Sequence, residues 1–254
     1  MNNFRSQYRE DRILARIFAG ILKGTCVEVG AHNGVDLSNT YYFEQLGWRC
    51  ILVEPNPVMW TVIRDARRAV LFECAASGRE SRAILHVGVG DGNDVYSTLD
   101  ASSVERIKQQ GAQVSDVPVR TRRLDDMLEE CRVEHLGFVS IDVEGHELDV
   151  LEGFDLNRWK PQLVILEDNS NLRDSSVVGF MVARGYTRFF RTGCNDWYTA
   201  PGTLSIATFR RLLTCGPCDL TKGLIKAWLP GVGRFVQAIK RGMKRLIQRV
   251  PPAG

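Results

Sequence analysis

Between residues 25 and 167 five short apolar runs recur, at 25–29, 50–54, 70–74, 137–141 and 163–166, separated by amphipathic segments. Strands with one wet face alternate apolar and polar residues. Strands buried on both faces of a parallel sheet instead read as nearly unbroken Val, Ile and Leu, as these runs do. Helical patterns at 39–46 and 58–67 lie between the first three runs. The expected fold is α/β, an open and mostly parallel sheet with helices on both faces.

Two pieces break the rhythm. An alternating stretch at 83–87 runs into a Gly-rich loop at 88–94, and residues 117–121 read as a further strand whose Pro118 places it at an edge. The segment 82–121 is expected to lie over the ligand-binding end of the sheet.

The chain has 254 residues, and 33 basic against 30 acidic side chains give a net charge of +3. That balance hides a split, because eight of the basic residues and no acidic one fall in 220–254, which leaves the rest at −5. The expected division is a folded body at 1–212 and a linker with a basic tail at 213–254. At 44% hydrophobic and 25% charged, the composition excludes wholesale disorder and a multi-span membrane protein. The apolar run at 13–22 contains Arg16, is too short to span a bilayer and lacks a small-residue cleavage site, so it reads as a helix packed on the body. Seven cysteines, two of them inside strand-like runs, point to reduced thiols and a cytoplasmic setting. The Cys215-Gly216-Pro217-Cys218 spacing offers zinc only half its ligands, and it reads as a turn in the linker.

The most informative local stretch is Val27-Glu28-Val29-Gly30-Ala31-His32-Asn33-Gly34, which leaves a buried strand and is expected to enter a helix. Its glycines allow a sharp turn and close approach of a ligand. The spacing is neither that of a dinucleotide loop nor that of a P-loop, so a pyrophosphate is disfavoured. Glu54, ending the second strand, is placed to accept hydrogen bonds from ribose hydroxyls. Glu28, beside the glycine turn, suits a ligand with an ammonium or sulfonium cation. A nucleoside with a cationic tail, S-adenosylmethionine, satisfies both carboxylates.

These residues, with Ser6-Gln7-Tyr8-Arg9-Glu10-Asp11, Ser38-Asn39-Thr40, Leu46-Gly47-Trp48, Val53-Glu54-Pro55-Asn56-Pro57, Ile141-Asp142-Val143-Glu144-Gly145-His146-Glu147 and Val150-Leu151-Glu152-Gly153, resemble the FkbM-type S-adenosylmethionine-dependent methyltransferases over roughly residues 6–190. The resemblance implies a Rossmann-like class I methyltransferase sheet. It also implies that the Gly30–Gly34 loop holds the methionine part, Glu54 the ribose, and that Ala75 and Ala76 lie near the adenine. The expected cofactor set is Glu28, Gly30, Ala31, His32, Asn33, Gly34, Ser38, Glu54, Pro55, Ala75, Ala76 and Asp142.

Ligands in open α/β sheets lie outside the carboxyl ends of the strands, so catalysis is sought just after strands four and five. Asp142, Glu144, His146 and Glu147 follow strand four; Glu167, Asp168 and Asn169 follow strand five. Methyl transfer to a hydroxyl needs that oxygen aligned and relieved of its proton, with His146 the first choice of general base and Asp142 and Glu144 beside it. Asp142 could instead cap the next helix. Asp142, Asp168 and Asn169 also match a hard-cation pattern that would hold Mg²⁺ against substrate hydroxyls, a separate expectation.

Tyr186, Phe189, Phe190, Trp197 and Tyr198 interleave with Arg188 and Arg191; this cluster reads as core first and acceptor pocket second. In the tail, apolar residues from Ile225 to Val250 fall at steps of three and four, with the basic residues mostly on the opposite face. Such an amphipathic helix suits an anionic membrane surface through 222–250; the other reading docks it on the body or on a second subunit of a homo-oligomer. The acidic body opposes nucleic acid, so no such partner is expected. Together these readings predict an O-methyltransferase acting on a sugar hydroxyl of a glycan or glycolipid, peripheral at the cytoplasmic face of a membrane. The alternatives are O-methylation of a polyketide or catechol-like metabolite, and a non-catalytic membrane-tethered module.

Overall fold

The computed structural model describes residues 3–89, 97–109, 111–170, 175–200 and 202–203. The predicted tail at 213–254, the Cys215/Cys218 pair and most of the Gly-rich loop at 88–94 lie outside the described residues.

The main sheet has seven strands: β1 Thr25–Val29, β2 Arg49–Val53, β3 Val70–Phe72, β8 Phe138–Ile141, β9 Leu163–Glu167, β10 Thr187–Thr192 and β11 Asn195–Thr199. Their order is β10-β11-β9-β8-β1-β2-β3. The five central and β3-side strands run parallel, while β11 pairs antiparallel with both β9 and β10. All five predicted runs are therefore strands, and the order reverses direction between β1 and β8. That switch point opens a crevice at the carboxyl ends of the strands.

The apolar runs are unbroken because alternate residues enter different cores. Val27, Ile51, Val139 and Val164 are fully buried with Leu128 of α5 (Leu124–Glu130), Leu151 of α6 (Glu147–Glu152), Leu156 of α7 (Leu156–Trp159) and Met181 of α8 (Ser176–Ala183). Cys26, Cys50, Phe138 and Ile165 face the other way. They pack with Leu14 and Ile17 of α1 (Glu10–Ile17) and Phe43 of α2 (Tyr41–Gln45), while Leu52 meets Ile63 of α3 (Pro57–Ala66). The predicted N-terminal helix packs on the body but is shifted, running from Glu10 to Ile17 and ending before residues 18–22 of the expected run. Trp48 fills the space over Gly24 and Gly137, where an added Cβ would sit 2.7 and 2.8 Å from its ring. Burying one such aromatic gains about 4–6 kcal/mol gross, from about 150–250 Å² removed from water.

A second, four-stranded sheet has the order β4-β7-β5-β6, built from β4 Ala75–Ala76, β5 Ser81–Val89, β6 Ser97–Thr98 and β7 Gln113–Arg122, with α4 Val104–Gln109 between β6 and β7. Two expectations are corrected here. Gly88 and Val89 belong to β5, paired with Val114 and Gln113, so the loop begins later than predicted. The strand containing Pro118 is twice the predicted length and is second in its sheet, not an edge strand. Its proline is tolerated because β4 meets β7 only at Thr121 and Arg122.

Tyr186, Phe189, Phe190, Trp197 and Tyr198 are all buried, as the core reading of that cluster expects. Arg188 and Arg191 beside them each hold Asp196 at 2.8 Å. Cys26, Cys50, Cys74, Cys131 and Cys194 are free thiols. Among the described residues no helix is long and apolar enough to cross a membrane.

Candidate methyl-transfer site

A cleft of about 360 Å³ opens at the carboxyl ends of the central strands, lined among others by Gly30, Glu54, Ala75, Ala76, Asp142 and Glu167. Leu85 and Thr98 of the second sheet, with the adjoining Leu99, also line it, as expected for the inserted segment.

The turn after β1 is shaped by contact with the strand beside it. Gly30 has φ +82, and a Cβ there would lie 1.8 Å from the Asp142 carbonyl oxygen, so only glycine fits. The Gly30 and Ala31 N–H groups donate to the Val53 carbonyl at 3.0 and 3.3 Å, tying the turn to β2. The chain then loops instead of entering a helix at once, since α2 begins only at Tyr41. Asn33 staples this loop, its Oδ1 accepting from the Val35 and Asp36 N–H groups at 2.9 Å. Gly34 turns at φ +76 against Ile63 and Arg67. Asn33 and Gly34, both expected in the cofactor set, are absent from the residues that line the cleft and build the loop behind it.

Glu28, expected in the cofactor set, lines the cleft and also holds the neighbouring loop. Its Oε1 accepts from the Asn39 N–H at 2.6 Å, and its Oε2 from the Ser38 and Thr40 hydroxyls at 2.6 Å each. Buried in the cleft wall and committed to three donors, it fixes the 38–40 loop. Arg67, which carried no sequence signal, clamps the loop from outside by donating to the Gly34 carbonyl, the Thr40 hydroxyl and Glu44.

Glu54 lies where predicted. It is 3% exposed, and its two oxygens accept from the His32 N–H at 2.7 Å and the Asn56 N–H at 2.8 Å. Burial pushes its pKa up to about 7, against the pull of those two donors. Each oxygen keeps further acceptor capacity. Asn56 caps α3 by accepting from the Val58 N–H, with Pro57 as the first helical residue, and this fixes where Glu54 ends β2.

Across the switch point, Asp142 opens into the cleft while walled by protein. Its capping alternative falls away because α6 starts at Glu147 with His146 at its N-cap. Asp142, Glu144 and Glu167 bring their carboxylate oxygens within 4.8 Å of one another. Burial in the cleft wall, then the charge of Glu167, push the Asp142 pKa well above the carboxylate range. Burial, then Glu144, raise Glu167 to about 7. Asp142 and Glu167 thus form a carboxyl pair in which both groups hold protons above the ordinary carboxylate range.

His146 also lines the cleft, with Nδ1 3.3 Å from Asp149 and Nε2 3.3 Å from the Ser77 hydroxyl. Burial depresses its pKa, and Asp149 and Asp100 pull the other way. The predicted ion-binding trio is not assembled. Asp168 turns from the cleft to accept from Arg191 at 3.0 Å and from the Ser170 N–H at 2.9 Å. Asn169 stays at the cleft, 3.4 Å from Glu144. Pro55 and Ser38 line the cleft as expected. Tyr8 and Cys194 also line it. Neither was in the predicted site, because only the tertiary fold brings residues so far apart together.

Residues 28–187 match the family model described as "Methyltransferase FkbM domain". A curated relative, the 2-O-methyltransferase NoeI of Sinorhizobium fredii, is 31% identical over 156 residues, which cover 56% of this chain and 61% of NoeI. The match thus spans less than two thirds of that relative. Among solved structures, a precorrin-6y C5,15-methyltransferase from Geobacter metallireducens is 15% identical, with a TM-score of 0.39, covering 76% of this chain and 86% of its own. A putative RNA methyltransferase from Pyrococcus horikoshii is 13% identical, with a TM-score of 0.38, covering 78% and 89%. At those TM-scores neither adds to the fold assignment, which rests on the strand order. Nothing in these comparisons supports a magnesium requirement. The family match, laid over the glycine turn, Glu54 and Asp142, identifies the chain as a member of the FkbM methyltransferase family.

Proposed function

We propose that the protein is an S-adenosylmethionine-dependent O-methyltransferase whose acceptor is a sugar hydroxyl in a glycan or glycolipid. The observation that carries this reading is the placing of two acidic features on opposite sides of the switch point: Glu54 at the end of β2 and the Asp142–Glu167 pair at the ends of β8 and β9. Glu54 suits a ribose diol, Ala75 and Ala76 leave room for a flat base, and Gly30 allows close approach of the backbone. When bound, S-adenosylmethionine supplies a methyl carbon activated by its sulfonium. The acidic wall favours that positive charge.

The acceptor hydroxyl must give up its proton as the new C–O bond forms and the C–S bond breaks. Asp142, raised by burial and the charge of Glu167, and Glu167, raised to about 7 by burial and the charge of Glu144, are poised to receive it. His146 has both ring nitrogens engaged by Asp149 and Ser77, so in this reading it positions the Asp142 loop and the carboxyl pair takes the base role. Transfer to oxygen is supported by the name of the curated relative, a 2-O-methyltransferase, and a polyhydroxylated acceptor by the carboxylates of Asp142, Glu144 and Glu167 beside Asn169, which can pair with neighbouring hydroxyls. The basic stripe of 222–250 supports an acceptor presented at an anionic membrane surface.

The test is incubation of the protein and methyl-labelled S-adenosylmethionine with lipid, polysaccharide and small-metabolite extracts. Label in a saccharide-containing fraction is expected. Label confined to small aromatic metabolites would replace the acceptor class, and no transfer to any fraction would overturn the reading.

A further inference from the structure

The residues before α1 cross the mouth of the cleft as a strap fastened at both sides. On one side Ser6 bridges to Leu37 in the loop after β1. On the other, the Tyr8 ring lies on Gly193 in the turn between β10 and β11, where an added Cβ would sit 2.4 Å from the ring. Two carboxylates with no exposed surface hold the strap. Asp11 accepts from the Ser6 N–H and hydroxyl at 3.1 and 2.7 Å. Glu10 accepts from the Tyr8 N–H at 2.7 Å, the Thr192 hydroxyl at 2.7 Å and the Asn195 side-chain amide at 3.0 Å, joining strap to hairpin. Fixing a surface segment with two buried acids costs desolvation, which is hard to account for if the segment only covers core.

The strap delivers Tyr8 to a particular place. Its hydroxyl lies 3.7 Å from the Cys194 thiol, which lies 3.5 Å from Glu167 Oε1. Cys194 has one proton for two acceptors, so when it serves Glu167 it can only accept from Tyr8. Tyr8 and Cys194 sit on the β9/β11 side of the sheet. At about 4.8 Å per strand, β11 is four steps from β2, roughly 19 Å from the Glu54 side of the cleft. Tyr8 therefore borders the carboxyl pair on the side away from the proposed ribose site, and it stays protonated at neutral pH, its pKa pushed up to about 12 by its bond to Cys194, then by burial. Both residues fall outside the 28–187 family match.

Resting on the function proposed above, we infer that Tyr8 is an acceptor-binding residue: its hydroxyl hydrogen-bonds the acceptor beside the reacting oxygen, and the Gly193–Cys194 turn sets its position. The chemical class it fits is a neutral polyol, whose neighbouring hydroxyls can pair with a phenol on one side and a carboxylate on the other.

The experiment measures methyl transfer from labelled S-adenosylmethionine to a panel of hexose and 6-deoxyhexose methyl glycosides, using the full chain. Calorimetric titration of S-adenosylhomocysteine serves as a cofactor-only control. Tyr8→Phe is expected to raise the KM for the glycoside at least tenfold, with kcat within about threefold and cofactor affinity within twofold. Gly193→Ala keeps the hydroxyl but displaces the ring, and it is expected to raise the same KM. An unchanged glycoside KM in Tyr8→Phe, with an active wild type, would overturn this inference and leave the proposed function standing. Equal loss of cofactor affinity in both variants would also overturn it, by making the strap a cofactor or folding element. A wild type that transfers to no glycoside would refute the sugar acceptor, and this inference with it.

Discussion

A Cβ placed on Gly30 would lie 1.8 Å from the carbonyl oxygen of Asp142, so the turn that ends β1 and the strand end that carries the acidic pair are built against each other. Gly30→Ala must shift one of them, and it must also hold φ near +82, which by itself costs a side-chain-bearing residue about 1–3 kcal/mol. The variant is expected to melt at a lower temperature and to lose both cofactor binding and turnover. Thermal melts with and without S-adenosylmethionine check this; a wild-type melt with wild-type ligand stabilisation would contradict it.

Glu28 ties down the loop at 38–40 through three hydrogen bonds. Glu28→Gln replaces one acceptor oxygen by a donor and leaves at least one buried donor unpaired, at about 1–3 kcal/mol each. Urea unfolding is expected to show the lower stability, and limited proteolysis to show faster cleavage around residues 36–40. Loss of cofactor affinity with unaltered stability would instead make Glu28 a direct ligand.

The acidic pair sets the pH dependence of turnover. Glu167 has its pKa raised to about 7 and Asp142 is also held well above the carboxylate range, so the pair holds a proton below neutrality and can accept one from substrate only after losing it. The rate is expected to rise between about pH 6 and 8. Glu167→Gln removes the neighbouring charge that raises Asp142, so any residual activity should have its rising limb at lower pH. A limb in the same place would assign the titration to another group.

Stability should follow the opposite course. Glu54 and Glu167 have folded pKa values of about 7 against 4.5 for the free side chain, so the native state holds protons that the unfolded chain has released. Their contribution is fully present below about pH 4.5 and is lost as pH rises through about 7. His146, with its lowered pKa, works the other way as a single group. Melts of the cofactor-free protein are expected to give a higher Tm near pH 5.5 than near pH 8, and Glu54→Gln is expected to flatten the difference.

How much of this was legible depended on how far apart the interacting residues lie. The β1, β2, β8 and β9 runs announced themselves because both faces are buried, and Gly30 and Glu54 stand where a strand end must turn and present an acid. β7, with half of its residues solvent-facing, carries too weak an apolar pattern to reveal its full length. The loop-holding part of Glu28 is not legible locally, because nothing in the sequence shows that Ser38 and Thr40 turn their hydroxyls back to it. Nothing near Asp168 in the sequence shows that Arg191, 23 residues later, claims its carboxylate. Tyr8 and Cys194, 186 positions apart, meet only once the strap and the hairpin are folded.

Calorimetric titration of the purified chain with S-adenosylmethionine, repeated on Glu54→Gln, bears most directly on the cleft as a cofactor site. The expected result is saturable binding at one site per chain, weakened about ten- to hundredfold by the substitution, as for the loss of one or two charge-assisted hydrogen bonds worth about 1.5–3 kcal/mol. No binding to the wild type, or equal affinity in the variant, would contradict the assignment of the β1/β2 side of the cleft to the nucleoside.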